Sequence, residues 1–212
     1  MTDVMTLERR ALVRRGLWLN WLTIGYNLVE ALISVGAGLV SGSVALVSFG
    51  VDSGIEVTSS LAAHWRLRAD TDPERRARVE QVTHRIIGWS FLALAAYIVI
   101  ESVTTLRSRE APDVSPLGLG ILVLSLLIMP AIAHASRQVA RALGSRALEA
   151  DAAQTSLCAY LSLIALAGVG LNAAFGWRWA DPVAALVMSP IIVKEGLEGV
   201  RGERTCEDCA LS

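Results

Sequence analysis

The sequence predicts an all-α integral membrane protein, a six-transmembrane-helix bundle with its N- and C-termini in the cytoplasm. Three observations predict it. Of 212 residues, 53% are hydrophobic and 18% charged, and the mean hydropathy is +0.50, more apolar than a soluble domain of this length. The charges gather in short stretches between long apolar runs. The basic residues fall almost wholly on alternate connections, which sets the orientation.

A helix needs about 20 apolar residues to cross the hydrocarbon core. Helices are required because no water inside the bilayer can satisfy exposed backbone groups. A basic cytoplasmic arm over 1–16 carries Arg9, Arg10, Arg14 and Arg15. The first span, 17–37, belongs to an apolar run too long for a signal-peptide core, with no clear small-residue cleavage site after it. A short outer turn over 39–43 leads to the second span, 44–64. The charged inner connection 65–85 carries Asp72-Pro73, which reads as a helix start. The third span is 86–106. Pro112 and Pro116 break the outer connection before the fourth, 117–135. The fifth is 152–171, and a second short outer turn over 176–181 follows it. The sixth, 183–200, is the weakest, because Lys194 and Glu195 interrupt it. A short cytoplasmic tail over 201–212 holds Cys206-Glu207-Asp208-Cys209, and no soluble domain is expected after the sixth helix.

With the N-terminus inside, only Arg107, Arg109 and Arg178 of the 19 Lys and Arg residues lie outside. Trp18, Trp21, Trp65, Trp177 and Trp179 fall near span ends, where amphipathic rings favour the interface. The expected surroundings are therefore a lipid bilayer, at the cell (plasma or inner) membrane. No basic run with interleaved aromatics suggests nucleic acid, and three cysteines are too few for a disulfide framework.

Charged side chains at membrane depth cost roughly 2.5–3.5 kcal/mol each on insertion scales, so those retained there point to a use. Asp52 and Glu56 lie four apart on the second helix and share one face. The fifth helix carries a polar stripe of Asp151, Gln154 or Thr155, Cys158 and Ser162 at three- and four-residue spacing. Counted from the inner surface, both groups reach a depth on the order of 10 Å. If the two helices face each other, two carboxylates, an amide oxygen and a thiolate converge, and four donors suit tetrahedral zinc. The thiolate favours zinc, cadmium or other thiophilic ions over magnesium or calcium.

Plainer readings compete. Asp52 and Glu56 could bond to neighbouring helices, although two ionised carboxylates one turn apart repel each other. Cys158 alone is more often a small buried hydrophobe, and Gln154 could simply bridge helices. Glu30, with Asn27 near it on the first helix, could support a ligand or bond helices together; helix bonding is the preferred reading. Glu101 and the three histidines, His64, His84 and His134, are read as interfacial. Gly36, Gly38 and Gly42 read as permitting close packing and a turn. Cys206 and Cys209 supply two ligands, enough for a four-thiolate site only in a dimer. The competing reading is a polar end whose thiols stay reduced.

With these residues set out, the chain resembles the cation diffusion facilitator family of metal/proton antiporters. Ser41-Gly42-Ser43-Val44-Ala45-Leu46, Asp52-Ser53 and the acid at 56 resemble that family's second helix. Ala150-Asp151-Ala152 with positions 154 and 158 resembles its fifth, and Asp181-Pro182 its sixth-helix start. The resemblance covers about 17–200. It implies a transport site at Asp52, Glu56, Gln154 and Cys158, where members usually carry Asp or His on the second helix and His then Asp on the fifth. It also implies a homodimer. The His-rich stretch between helices two and three is missing, as is the C-terminal cytoplasmic domain, so the chain looks like a short transmembrane-only branch.

The expected function is proton-coupled efflux of a divalent metal cation, zinc- or cadmium-like, with metal ion and protons as partners and no permanently bound cofactor. The candidate metal-handling residues are Asp52, Glu56, Gln154 and Cys158, with Asp151 on the inward path and Cys206 and Cys209 in the tail. The chain is read as a secondary transporter rather than an enzyme, since no Ser/His or His-Glu hydrolase pattern appears. The alternative is a non-transporting membrane subunit or metal sensor with a degenerate site and a partner-binding tail.

Overall fold

The computed structural model describes residues 2–68, 73–108, 112–143 and 146–201. They form six helices: α1 (Thr2–Ser41), α2 (Val44–Arg68), α3 (Pro73–Ser108), α4 (Pro116–Leu143), α5 (Arg146–Phe175) and α6 (Ala180–Arg201). No strand occurs among the described residues. The all-α membrane bundle expected from the apolar runs is the architecture found.

Local chemistry accounts for the helix ends. Pro73 and Pro116 open α3 and α4, where a missing N–H costs nothing. Ser43 and Ser115 precede α2 and α4, and their hydroxyls accept from Leu46 N and Gly118 N, each at 3.1 Å. Gly42 (φ +69°) and Gly176 (φ +67°) supply the left-handed turns that stop α1 and α5. The connection expected over 65–85 is mostly helix. Its charged residues include the good helix formers Arg and Glu, so α2 runs to Arg68 and α3 restarts at Pro73. Likewise, the arm expected over 1–16 continues α1 from Thr2.

Contacts between connections establish that the helices run up and down alternately. At one end, Asp113 N donates to Ser41 O at 2.7 Å, Asn172 Nδ2 donates to Pro112 O at 2.8 Å, and the α2 start bonds to Asp181 at the α6 start. The turns after α1, α3 and α5 thus meet there. At the opposite end, where Arg14, Arg15, Arg85, Arg141 and Arg201 lie, Asn20 of α1 reaches Ser60 of α2 and Asp151 of α5. This is called the basic end below.

α2 is central, touching α1, α3, α5 and α6, while α3 pairs most extensively with α6 and α4 with α5. Glycines allow the tightest crossings. A Cβ on Gly38 would meet Val47 N at 2.7 Å, and one on Gly88 would meet Val200 N at 2.5 Å. Gly38 and Gly42 thus hold the packing and turn roles expected of them, whereas Gly36 faces open space. Phe49, Leu46, Ile98, Leu122 and Met188 fill the interior, while Leu32, Ile100 and Leu127 point outward. That outward apolar surface is what lipid tails require.

Among the described residues, five helices are long and apolar enough to cross a membrane: the relevant parts of α1, α2, α3, α4 and α5. α6 has 22 residues, about 33 Å of helix. Its second half carries Lys194, Glu195 and Glu198, the interruption that made it the weakest span in the sequence.

Candidate metal site

α2 presents Asp52 and Glu56 one turn apart, and α5 presents Gln154 and Cys158 at the same spacing. All four line one cavity. Phe91 of α3, Leu157 and Leu161 of α5, and Ile191 and Ile192 of α6 supply apolar walls. Glu195 of α6 completes the lining as a third carboxylate. The cavity is small, about 10 Å³, room for one small body such as a water or a bare ion.

The cavity lining contains three acids and no Lys, Arg or His, so its field favours a cation. Burial sharpens this. Glu56 is 1% exposed, and neither carboxylate oxygen has a hydrogen-bond partner. Such a group is costly unless a ligand or proton compensates it. Cys158 is equally buried, and its thiol donates to Glu30 Oε2 at 3.8 Å. Gln154 Oε1 accepts from Ser59 Oγ at 3.2 Å. The side chains share a space without forming a finished coordination sphere. Among the described residues, no three of His, Cys, Asp and Glu are grouped to hold an ion.

Asp151 sits one turn toward the basic end and outside the cavity lining. Ser60 Oγ donates to its Oδ1 at 2.8 Å, and Asn20 Nδ2 to its Oδ2 at 3.4 Å, joining α1, α2 and α5. Cys206 and Cys209 lie outside the described residues. His64, expected at the interface, is buried edge-on against Trp21, with ring centroids 5.1 Å apart. His134 is exposed beside Gln138, as an interfacial side chain would be.

Sequence reasoning missed Glu195 as part of this constellation. Its signal was present: Lys194-Glu195 interrupts an apolar run, and the acid of that pair turns toward the site. Lys194 is 73% exposed and pairs with Glu198 at 3.7 Å.

The family model described as the cation efflux transmembrane domain matches residues 21–202. An uncharacterized transporter of a Synechocystis species, sll1263, is 27% identical over 171 residues, covering 78% of this chain and 55% of its own. The cadmium, cobalt and zinc/H(+)-K(+) antiporter of Bacillus subtilis is 26% identical over 190 residues, covering 81% and 56%. The putative transporter MamV of Paramagnetospirillum magneticum is 31% identical over 189 residues, covering 83% and 54%. The chain spans little more than half the length of these three relatives.

Proposed function

The chain belongs to the cation efflux family, and from that premise we propose that it carries a divalent metal ion across the membrane, out of the cytoplasm, in exchange for protons. The observation that carries the reading is the small cavity between α2, α5 and α6, with Glu56 buried in it and unpartnered.

Asp52 and Glu56 together supply the two negative charges that neutralise a divalent ion. Cys158 supplies a soft donor, Gln154 an amide oxygen, and Glu195 a further carboxylate from a third helix. The sulfur favours zinc or cadmium, in keeping with the name of the Bacillus subtilis relative. Because the donors are not yet grouped around one point, ion capture draws α2, α5 and α6 together. Reopening on the opposite side then completes a transport cycle.

Proton coupling follows from the donors themselves. A carboxylate or thiolate binds metal only after losing its proton, so metal binding releases protons and protonation expels metal. With Gln154 where relatives of this type usually carry His, the exchange rests on Glu56, Asp52 and Cys158. Asp151 stands on the path from the basic end, and Cys206 and Cys209 would deliver ions to it. The resemblance further implies a homodimer in the cell membrane, which cross-linking in native membranes would test.

The test is metal flux into proteoliposomes that contain a fluorescent chelator, with and without a pH gradient, offering zinc, cadmium, cobalt, manganese and nickel. The expected result is zinc or cadmium flux that the gradient accelerates and Asp52→Ala abolishes. No flux of any ion from folded protein would reject the transporter reading.

A further inference from the structure

α1 carries polar residues at 20, 23, 27, 30 and 34, three or four apart, and at 41, two turns on, which puts them on one face. All six are buried. The ends of the stripe are bonded: Asn20 to Ser60 and Asp151, Thr23 to Leu19 O, and Ser41 to Gly38 O. The middle is not. Asn27 and Glu30 are both 0% exposed. Neither the amide nitrogen nor the amide oxygen of Asn27 has a partner, and Glu30 Oε1 and Ser34 Oγ have none either. Helix bonding, the role the sequence suggested here, accounts for one oxygen of Glu30 and leaves its Oε1 and the Asn27 amide without partners.

The other half of the Glu30 carboxylate is held firmly. Ser53 Oγ of α2 donates to its Oε2 at 2.8 Å, and the Cys158 thiol reaches the same oxygen from α5. Tyr26 of α1 and Ser125 of α4 stand beside the carboxylate, with no hydrogen bond closed by either hydroxyl. Three helices therefore place oxygen atoms around one acid, a fourth adds the Cys158 sulfur, and the buried Oε1 completes no hydrogen bond.

We infer that Asn27, Glu30 and Ser53, with Tyr26 and Ser125 around them, form a second cation site that takes an alkali ion. The donors of this second set are all oxygen: one carboxylate, one amide carbonyl and three hydroxyls. Such donors select hard cations and not the thiophilic ions suited to Cys158. One carboxylate balances one positive charge, which singles out a monovalent ion in a buried setting. Asp52 and Ser53 are successive on α2 and so face different neighbours, one the metal cavity and one Glu30. Cys158 lines the metal cavity and touches Glu30, so it forms a shared wall between the two sites.

The test is equilibrium binding of radioactive sodium and of radioactive rubidium, a potassium analogue, to the full chain in detergent by scintillation proximity. Wild type should bind one of the two saturably. Glu30→Gln and Asn27→Leu should each weaken that binding by about tenfold or more, as loss of a metal-site partner typically does. Glu56→Gln, in the neighbouring cavity, should leave it within about twofold, well short of a lost partner's effect. Asn27→Ser, a gentler change, carries the test if either larger substitution fails to elute as a monodisperse protein. The inference is overturned if neither isotope binds wild type saturably. It is equally overturned if binding survives the Asn27 and Glu30 substitutions or disappears in Glu56→Gln. None of these readouts requires metal flux.

Discussion

Glu56 and Asp181 are equally buried, each 1% exposed, and differ in every other respect that matters. Asp181 opens α6 and places its carboxylate against the first turn of α2. There Ser43 Oγ donates to one oxygen, while Val44 N at 2.9 Å and Ala45 N at 3.4 Å donate to the other. The N–H groups at a helix start carry partial positive charge and lack partners of their own, so this acid completes the helix it touches. Glu56 lies three turns deeper on α2, with no donor on either oxygen. Burial alone therefore does not separate an acid that maintains the fold from one left open to an ion, the role proposed for Glu56. The number of donors it already has does.

The largest effect that can break this comparison is functional. Asp52→Ala or Glu56→Ala should reduce zinc or cadmium flux to the liposome background with normal yield and melting temperature. Asp181→Ala should do the reverse. It should lose about 1–2 kcal/mol, the usual range for a helix-capping acid, read as a lowered melting temperature in detergent. Flux per folded molecule should be retained. An Asp181 variant that is stable but inactive would erase the distinction.

Next in size is ion preference. Cys158→Ser exchanges the soft donor for a hard one, so cadmium affinity relative to manganese should fall by about tenfold or more. Competition binding with the two ions checks it. Proton linkage should follow. Metal affinity should rise with pH, since each donor must shed a proton before binding. Cys158→Ser combined with Glu56→Gln should flatten that dependence, as shown by affinity measured across a pH series. Smallest is Asp151→Asn, which keeps an acceptor for Ser60 while removing the charge. With Asp151 on the ion's path, flux should fall by about twofold or more although the neutral hydrogen bond to Ser60 survives, and an unchanged flux would leave it only the role of joining α1, α2 and α5.

The helices and the shared faces within α2 and α5 were legible in the sequence, because both rest on local periodicity, whereas the contact between those two helices entered only as a condition. Apolar runs specify spans, and side chains four apart share a face whatever the helix packs against. Asp52, Glu56, Gln154 and Cys158 could be grouped by depth alone. Glu195 could not be, because its role depends on how α6 rotates against α3, and the close approach of Gly88 to Val200 that sets this is invisible along the chain. The capping role of Asp181 joins residues 138 positions apart, and Asp181-Pro182 could be read only as a helix start. For Asn27 and Glu30 the stripe spacing was present in the sequence. Only the packed bundle shows which of its polar atoms are left without partners.

Cadmium–thiolate charge-transfer absorbance reads ion capture at Cys158 itself, in protein with Cys206→Ser and Cys209→Ser, where Cys158 is the only thiol. A saturable band should appear on titration with cadmium. It should be absent with Cys158→Ser, strongly weakened with Glu56→Gln, and unchanged with Asp181→Asn. A folded protein that shows no band at any cadmium concentration, or a band indifferent to Glu56, would contradict the assignment of the cavity as the metal site.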